Sequence, residues 1–588
     1  MLRGFWGLLC MLATLGGCAS ISEHSGVKAV MPKAVAGDHV FSNPIIQGFA
    51  PDPSIVRVGE DFYLINSTFE YFPGIPIYHS RDLVNWTLIG NALTDPAHAD
   101  LATIPSGGGI HASTIRHHGG TYYIITTNVR DGQPVNFILT ARNPVGPWAG
   151  PIIIEGAPGI DPSLLFDDDG KVWYVGNHHP DDAISPGQTE IWLQELDGKT
   201  FQLSGARHFL WRGCCQGDYA EGPHIYKRNG VYYLLVAEGG TSYNHAVSIA
   251  VAKEITGPYK NNPRNPVLTH RNLSYRYPIT GVGHADLVEL ADGRWYAVAL
   301  GWREIEGEAL MGRETFLIPV VWETESWWWK DDKITTPVFS PSTGRVELNY
   351  RVPFPDTVQK RTTAFLDDFE ATSLAPDWNF RRSGTSSIID LSSEPGTLVL
   401  TLGQARIADR AQYSFVGIRQ RDFQFEATAV MRFDPEHLEE EAGMILMQNE
   451  RSSLRFVRRA GMMQVIRNLY EQDEVVAEVP APAGKLTMRI RGDDLRYHFD
   501  FASAQTGWTA VARDVDARSL SVTQLRGFNY TGVYVGLYGS SNGRASGGVA
   551  RFDRFHYRPT AKDPDDWYYR QQQRPAALTG KVTTGADR

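Results

Sequence analysis

The chain has 588 residues, a formal net charge of −10, 42% hydrophobic and 21% charged residues, 57 Gly, 34 Pro and 4 Cys. The length calls for two to four domains at about 100–200 residues each, and the apolar content excludes a disordered chain. Four cysteines exclude a disulfide-built scaffold, and a mildly acidic balance without basic tracts excludes a nucleic-acid partner. An aromatic fraction of 11% beside so many Gly and Pro predicts an all-β protein rich in turns.

Residues 1–18, MLRGFWGLLCMLATLGGC, carry Arg3, an apolar run from Phe5 to Leu15, and then small residues. The run is too short for the roughly 20 residues that span a bilayer as a helix, and it reads as a secretory signal peptide. Leu15-Gly16-Gly17-Cys18 resembles the lipobox of bacterial lipoproteins. That resemblance implies lipid on Cys18, export from a bacterial cell and anchoring in the cell envelope. A plain signal peptide with an incidental cysteine is the alternative. Residues 19–40 are small and polar, as a tether would be.

One pattern then recurs at intervals of roughly 50–60 residues: a polar residue, a short apolar strand, a Gly or Asp turn, and an aromatic-rich strand. It opens at Asp52 (DPSIVRVGEDFYLINST), His111, Asp161, Glu221 and His284. Each unit reads as a β-hairpin. RDLVNW (81–86), NPVGPW (143–148) and EITGPY (254–259) read as turns into outer strands. Five such units predict a five-bladed β-propeller over 41–345, with a pair of long β-sandwiches as the alternative. In a propeller the innermost strands line the axis, so the five opening residues converge although each taken singly has a structural explanation. Pro53 and Pro162 are expected to push Asp52 and Asp161 towards extended backbone.

Convergent carboxylates beside aromatic walls are the equipment for cleaving a glycosidic bond, where one acid protonates the leaving oxygen and another carboxylate activates water or attacks. The motifs PDPSIV, STFEYFPGIPIYHSRDLVNW, GIDPSLLFDDDG, AEGPHIYK, AEGGTSYNHA, TGVGHADLV and GRETFLIPVVWE resemble glycoside hydrolase family 43, which comprises β-xylosidases and α-L-arabinofuranosidases. The resemblance implies an exo-acting, inverting glycosidase with an oligosaccharide substrate, in which Asp52 is the general base, Glu221 the general acid, and Asp161 the acid that orients Glu221 and raises its pKa. It makes Arg313 a contact for sugar hydroxyls, Phe69 a platform beside the sugar, and His284 a positioning residue that helps hold an ion or water in the channel. No cofactor is expected to be required. At blade two the family's Trp-Ala-Pro-Asp run is replaced by His111-Ala112-Ser113-Thr114. An imidazole there would stand where a tryptophan wall lines the sugar. GGGIHASTIRHHGG leans towards the arabinofuranosidase branch.

Cys214 and Cys215 precede Glu221 in an entrance loop. Neighbouring Cα atoms lie about 3.8 Å apart, below the usual 4.4–6.8 Å disulfide span. They read as two small loop residues, with a strained vicinal disulfide as the alternative. Residues 346–364, with their prolines, read as a linker packed on the propeller. Short alternating strands over 365–560 predict a β-sandwich, jelly-roll domain. It resembles the concanavalin-like domain of the same family, whose loop reaches the active-site mouth; the matching stretch, GFNYTGVYVG, makes Asn529 or Tyr530 a candidate. Asp367 and Asp368 offer hard oxygens to a structural Ca²⁺. Residues 561–588 read as a polar C-terminal tail. A lipid-anchored carbohydrate-binding protein without catalysis is the alternative function, although such a protein is expected to lose an acid and all three are present.

Overall fold

The structure is a computed structural model that describes residues 39–215, 218–274, 276–326, 333–361, 363–382, 388–525 and 529–573. Cys18, the signal segment and most of the tether lie outside the described residues, as does 574–588. Five antiparallel sheets form the propeller, each from a contiguous stretch of chain. Blade one shows how: Ser54–Val58 turns at Gly59, whose positive φ of 66° a glycine adopts without cost, and returns as Asp61–Ile65. Gly74–Ser80 and Thr87–Leu93 complete the blade outward.

The aromatic second strands pack where blades meet. Tyr63 of blade one meets Tyr122 of blade two edge-on at 5.3 Å, and Tyr123 of blade two lies 4.8 Å from Phe166 of blade three. Tyr233 of blade four meets Trp322 of blade five at 4.8 Å. Such pairs add about 0.5–1.5 kcal/mol beyond burial. Among the described residues, each blade is built from its own stretch of chain and none combines early and late strands. Instead Val40–Ser42 pairs with Asn349–Arg351, so part of the segment read as linker belongs to the closure of the ring. Asn43 then bonds both the carbonyl and the amide of Leu317.

The innermost strands of four blades are tied together on the axis. Arg116 of blade two bonds Asp286 of blade five at 2.9 Å, the Ser54 hydroxyl of blade one at 3.4 Å, and His224 Nδ1 of blade four at 2.9 Å. Asp286 also accepts from Ser54 Oγ and from the Tyr226 hydroxyl.

The second domain is a sandwich of two antiparallel sheets, one running through Val549–Pro559, Gln424–Arg432 and Leu486–Asp493, the other through Ser414–Arg419, Tyr534–Ser540 and Glu441–Asn449. Gln424–Arg432 alternates strictly, burying Phe425, Ala427, Ala429 and Met431 in the core. The two domains share backbone: Tyr71–Phe72 of the propeller pairs with Phe380–Arg381 of the sandwich. Tyr71 stacks on Tyr534 at 4.0 Å, and buried Arg381 reaches Glu70 at 3.2 Å and also pairs with Glu450. The stretch read as a tail begins with a helix, Asp566–Gln573, that buries Trp567 and Tyr568 and ties Arg570 to Asp494.

Candidate active site

Asp52, Asp161 and Glu221 stand at the inner-strand entrances of blades one, three and four and His111 shortly before that of blade two, whereas His284 lies inside the blade-five strand Ile279–Glu289, at a break in its register. The backbone there departs from expectation. Asp52, Asp161 and His284 are left-handed, with φ of 49°, 54° and 46°. Pro53 and Pro162 therefore do not impose extended geometry on the aspartates. Aspartate tolerates this region better than most residues. The surrounding bonds over-determine it at a cost of about 1–3 kcal/mol per residue.

Each acid has a distinct environment. Asp52 is 4% exposed and accepts from Arg313 Nη1 at 2.7 Å and from the Ser67 hydroxyl at 2.5 Å, with His284 Nδ1 at 3.7 Å. Burial alone would raise its pKa, but Arg313, His284 and the Ser67 bond outweigh burial and hold it below the ordinary carboxylate range. Glu221 moves the other way. Burial first, then repulsion from Asp52, pushes it up to about 7 against the pull of Arg313. Asp161 is raised well above its ordinary value by burial and by repulsion from Glu221 and Asp52. Expectation gave Asp161 the lead in raising Glu221; burial leads, and the largest charge acting on Glu221 is that of Asp52.

His284 packs against the chain beside Glu221: a Cβ on Gly222 would lie 2.7 Å from its Cε1, and Gly222 has φ of 55°. Burial lowers the pKa of His284 and takes His111 down to about 4, so both imidazoles are neutral near pH 7. His111 Nε2 lies 3.1 Å from the Gly107 carbonyl.

Phe69 is 2% exposed. Its ring lies 4.9 Å from His111 and stacks on Tyr530 at 5.2 Å, and the Arg313 guanidinium sits 5.3 Å from the centroids of both Phe69 and Tyr530. Phe69 thus supports the arginine and the tyrosine from behind. Tyr530 comes from the sandwich, and close backbone contact holds it there. A Cβ on Gly532 would lie 2.1 Å from the Met311 carbonyl oxygen, and Val533 N donates to Leu310 O at 2.9 Å. Asn529 bonds Asn449 and the Leu525 carbonyl and so buttresses the loop.

Arg313 Nε and Nη2 are buried without a partner, as is His245 Nε2. Buried polar atoms left unpaired in this way, two donors on Arg313 and an acceptor on His245, mark a place where a polar ligand completes the bonding. His245 lies against Gly283, where a Cβ would come within 2.5 Å of its ring. It sits in the quoted motif AEGGTSYNHA, yet neither spacing nor resemblance singled it out.

The residues suggested for cations, His284, Asp367 and Asp368, have protein partners of their own. His284 has Nδ1 3.7 Å from Asp52 Oδ1, and its ring lies against Gly222. Asp367 accepts from Trp378 Nε1 and from Phe369 N, and Asp368 from Glu370 N. Both Asp367 oxygens are thus engaged by donors of the protein itself.

Residues 41–328 match glycosyl hydrolases family 43, and residues 366–558 match the beta xylosidase C-terminal concanavalin A-like domain. A xylosidase/arabinosidase of Butyrivibrio fibrisolvens is 38% identical over 526 residues, covering 88% of this chain and 99% of the relative. The chain belongs to glycosyl hydrolase family 43. This family 43 protein is also 38% identical over 530 residues to a non-reducing end alpha-L-arabinofuranosidase of Bacteroides ovatus, covering 88% of this chain and 94% of that one. Among solved structures, the xylan beta-1,4-xylosidase of Bacillus halodurans superposes with a TM-score of 0.82 at 30% identity, over 88% of this chain and all of its own. The family 43 chain is accordingly a glycosidase built as a five-bladed propeller with a β-sandwich.

Proposed function

We propose that the protein removes terminal α-L-arabinofuranosyl or β-xylosyl residues from hemicellulose-derived oligosaccharides by single-step inversion. The observation that carries this reading is the split between two interacting carboxyls, buried Asp52 and half-buried Glu221. Asp52 is held ionised by Arg313, while Glu221 is held protonated up to about 7. A base and an acid coexist at neutral pH, as general acid–base catalysis requires. Asp52 takes a proton from a water attacking the anomeric carbon, and Glu221 gives its proton to the glycosidic oxygen as that bond breaks. Asp161 orients Glu221, and burial with the charge of Asp52 keeps the Glu221 proton in place. The free Nε and Nη2 of Arg313 donate to sugar hydroxyls, with Tyr530 as the apolar wall that the sandwich supplies. Relatives named for xylosidase and arabinosidase activity support the pentoside class. In the same reading, lipid on Cys18 tethers the enzyme in the envelope of a bacterial cell.

The test is hydrolysis of 4-nitrophenyl α-L-arabinofuranoside and 4-nitrophenyl β-xyloside, with the anomer first released followed by NMR. Inverted product, loss of turnover in Asp52→Asn, and a loss in Glu221→Gln that is smaller on these aryl glycosides than on an oligosaccharide are expected. If neither glycoside is cleaved and both variants bind oligosaccharide as the parent does, the protein is a carbohydrate-binding protein. Retained configuration overturns the inverting assignment.

A further inference from the structure

The loop that leads into Glu221 carries a group of side chains that glycoside cleavage does not use. The donor atoms of Cys214, Cys215 and Glu238 lie within 4.8 Å of one another, the one such three-residue group among the described residues. Cys214 and Glu238 are buried and Cys215 is exposed, so the group has a protected floor and one side open to solvent. Glu238 accepts from the Cys214 amide at 2.9 Å, from Cys214 Sγ at 2.8 Å and from the Ser248 hydroxyl at 2.7 Å. The carboxylate is thereby aimed at the thiol. Two sulfurs and one oxygen are a soft to borderline donor set, matched to thiophilic cations and unsuited to Ca²⁺ or Mg²⁺.

We propose that Cys214, Cys215 and Glu238 form a binding site for one thiophilic d¹⁰ cation, of the Zn²⁺ or Cd²⁺ kind. Both sulfurs and one Glu238 oxygen are ligands, and water takes the fourth position on the exposed side. Binding releases the two thiol protons to solvent, and no electron is transferred. Two thiolates and a carboxylate then surround a divalent charge, which compensates them in the buried floor. Without a cation, burial and the neighbouring Cys215 and Glu238 groups keep the Cys214 thiol protonated, so the pair is not a ready nucleophile.

The site bears on catalysis through backbone. Glu221 pairs with Ala237, the residue before Glu238, and Gly239 N donates to Asp218 O at 2.8 Å. A Cβ on Gly213 would lie 2.8 Å from Glu238 Oε2 and 3.4 Å from the Cβ of Ala220, which precedes Glu221. Drawing Cys214 and Cys215 onto a cation therefore shifts the segment that aims Glu221, and occupancy lowers kcat. The inference holds whichever pentoside is cleaved.

Cadmium is the probe. The purified full chain, reduced with a phosphine and freed of reductant, is titrated with Cd²⁺ while the ultraviolet thiolate-to-cadmium charge-transfer band is followed. The band is expected to saturate at one equivalent. Cys215→Ser, an exposed change that leaves the buried floor intact, is expected to weaken binding by on the order of 10–100-fold or more. Cd²⁺ is expected to lower kcat of the parent reversibly on chelation, and to leave Cys215→Ser active at the same concentration. Absence of the band, or an equal band in Cys215→Ser, overturns the site. So does a reduced chain that returns in air to a mass two hydrogens lighter and no longer takes up Cd²⁺, which identifies a vicinal disulfide instead.

Discussion

Arg116 and Asp286, 170 residues apart in sequence, meet on the propeller axis at 2.9 Å, and Asp286 is fully buried there. Through Ser54 and His224 the pair joins the strands that carry Asp52 and Glu221. Removing one partner leaves an uncompensated buried charge, a loss of about 3–5 kcal/mol. Arg116→Met is therefore expected to lose that much stability in urea denaturation. Arg116→Met with Asp286→Leu is expected to recover part of it, and full stability in Arg116→Met alone removes the keystone role.

The activity profile follows from the two carboxyls with opposite shifts. Glu221 must be protonated, so kcat/KM is expected to fall as pH rises through about 7. Asp52 must be ionised, and its lowered pKa places the acid limb below the ordinary carboxylate range. A pH series on an activated aryl glycoside and on an oligosaccharide checks this. Glu221→Ala is expected to lose on the order of 10²–10⁴-fold on the oligosaccharide and less on the aryl substrate, whose leaving group needs no proton.

The same shift makes the site costly to fold. A carboxyl raised in the folded state binds its proton more tightly there, so stability declines as pH rises from the ordinary value of 4.5 to about 7. Glu221→Gln removes that cost. It is expected to raise stability at pH 8 by roughly 1–3 kcal/mol after coupling to Asp161 is allowed for, read as a higher thermal midpoint, and to leave it unchanged at pH 4. Asp161→Asn is expected to act in the same direction. A midpoint that falls equally at both pH values for Glu221→Gln removes burial as the cause.

Tyr530 carries the sandwich's contribution to the cavity. Its ring lies 5.3 Å from Arg313 and is stacked on Phe69. Losing the cation–π contact and the wall is expected to cost about 1–2 kcal/mol of transition-state binding, roughly 10-fold in kcat/KM. Tyr530→Ala assayed beside Tyr530→Phe separates ring from hydroxyl; equal losses in both would assign the effect to the hydroxyl instead.

The propeller is legible in the sequence because its hairpins repeat, and the register of those repeats alone points Asp52, His111, Asp161, Glu221 and His284 to one end of an axis. Arg313 and Tyr530 were reached only through family resemblance, since neither opens a repeat. Arg116, Asp286 and His245 were passed over. Each lies inside an ordinary strand or loop, and its partners are long-range, so no local pattern flags it. The left-handed aspartates ran against the rule for residues before proline. That rule describes local sterics, and here bonds from other blades decide the backbone.

The two-residue pairing of Tyr71–Phe72 with Phe380–Arg381 constrains how such chains can be recombined. A crossover in the connecting segment would look harmless in the linear sequence. It would place a foreign sandwich edge against Tyr71 and Glu70 and remove the tyrosine that lines the cavity. The inherited and the engineerable unit is the matched pair of domains, so libraries that shuffle catalytic propellers among sandwiches need to carry the 70–72 and 380–382 segments together.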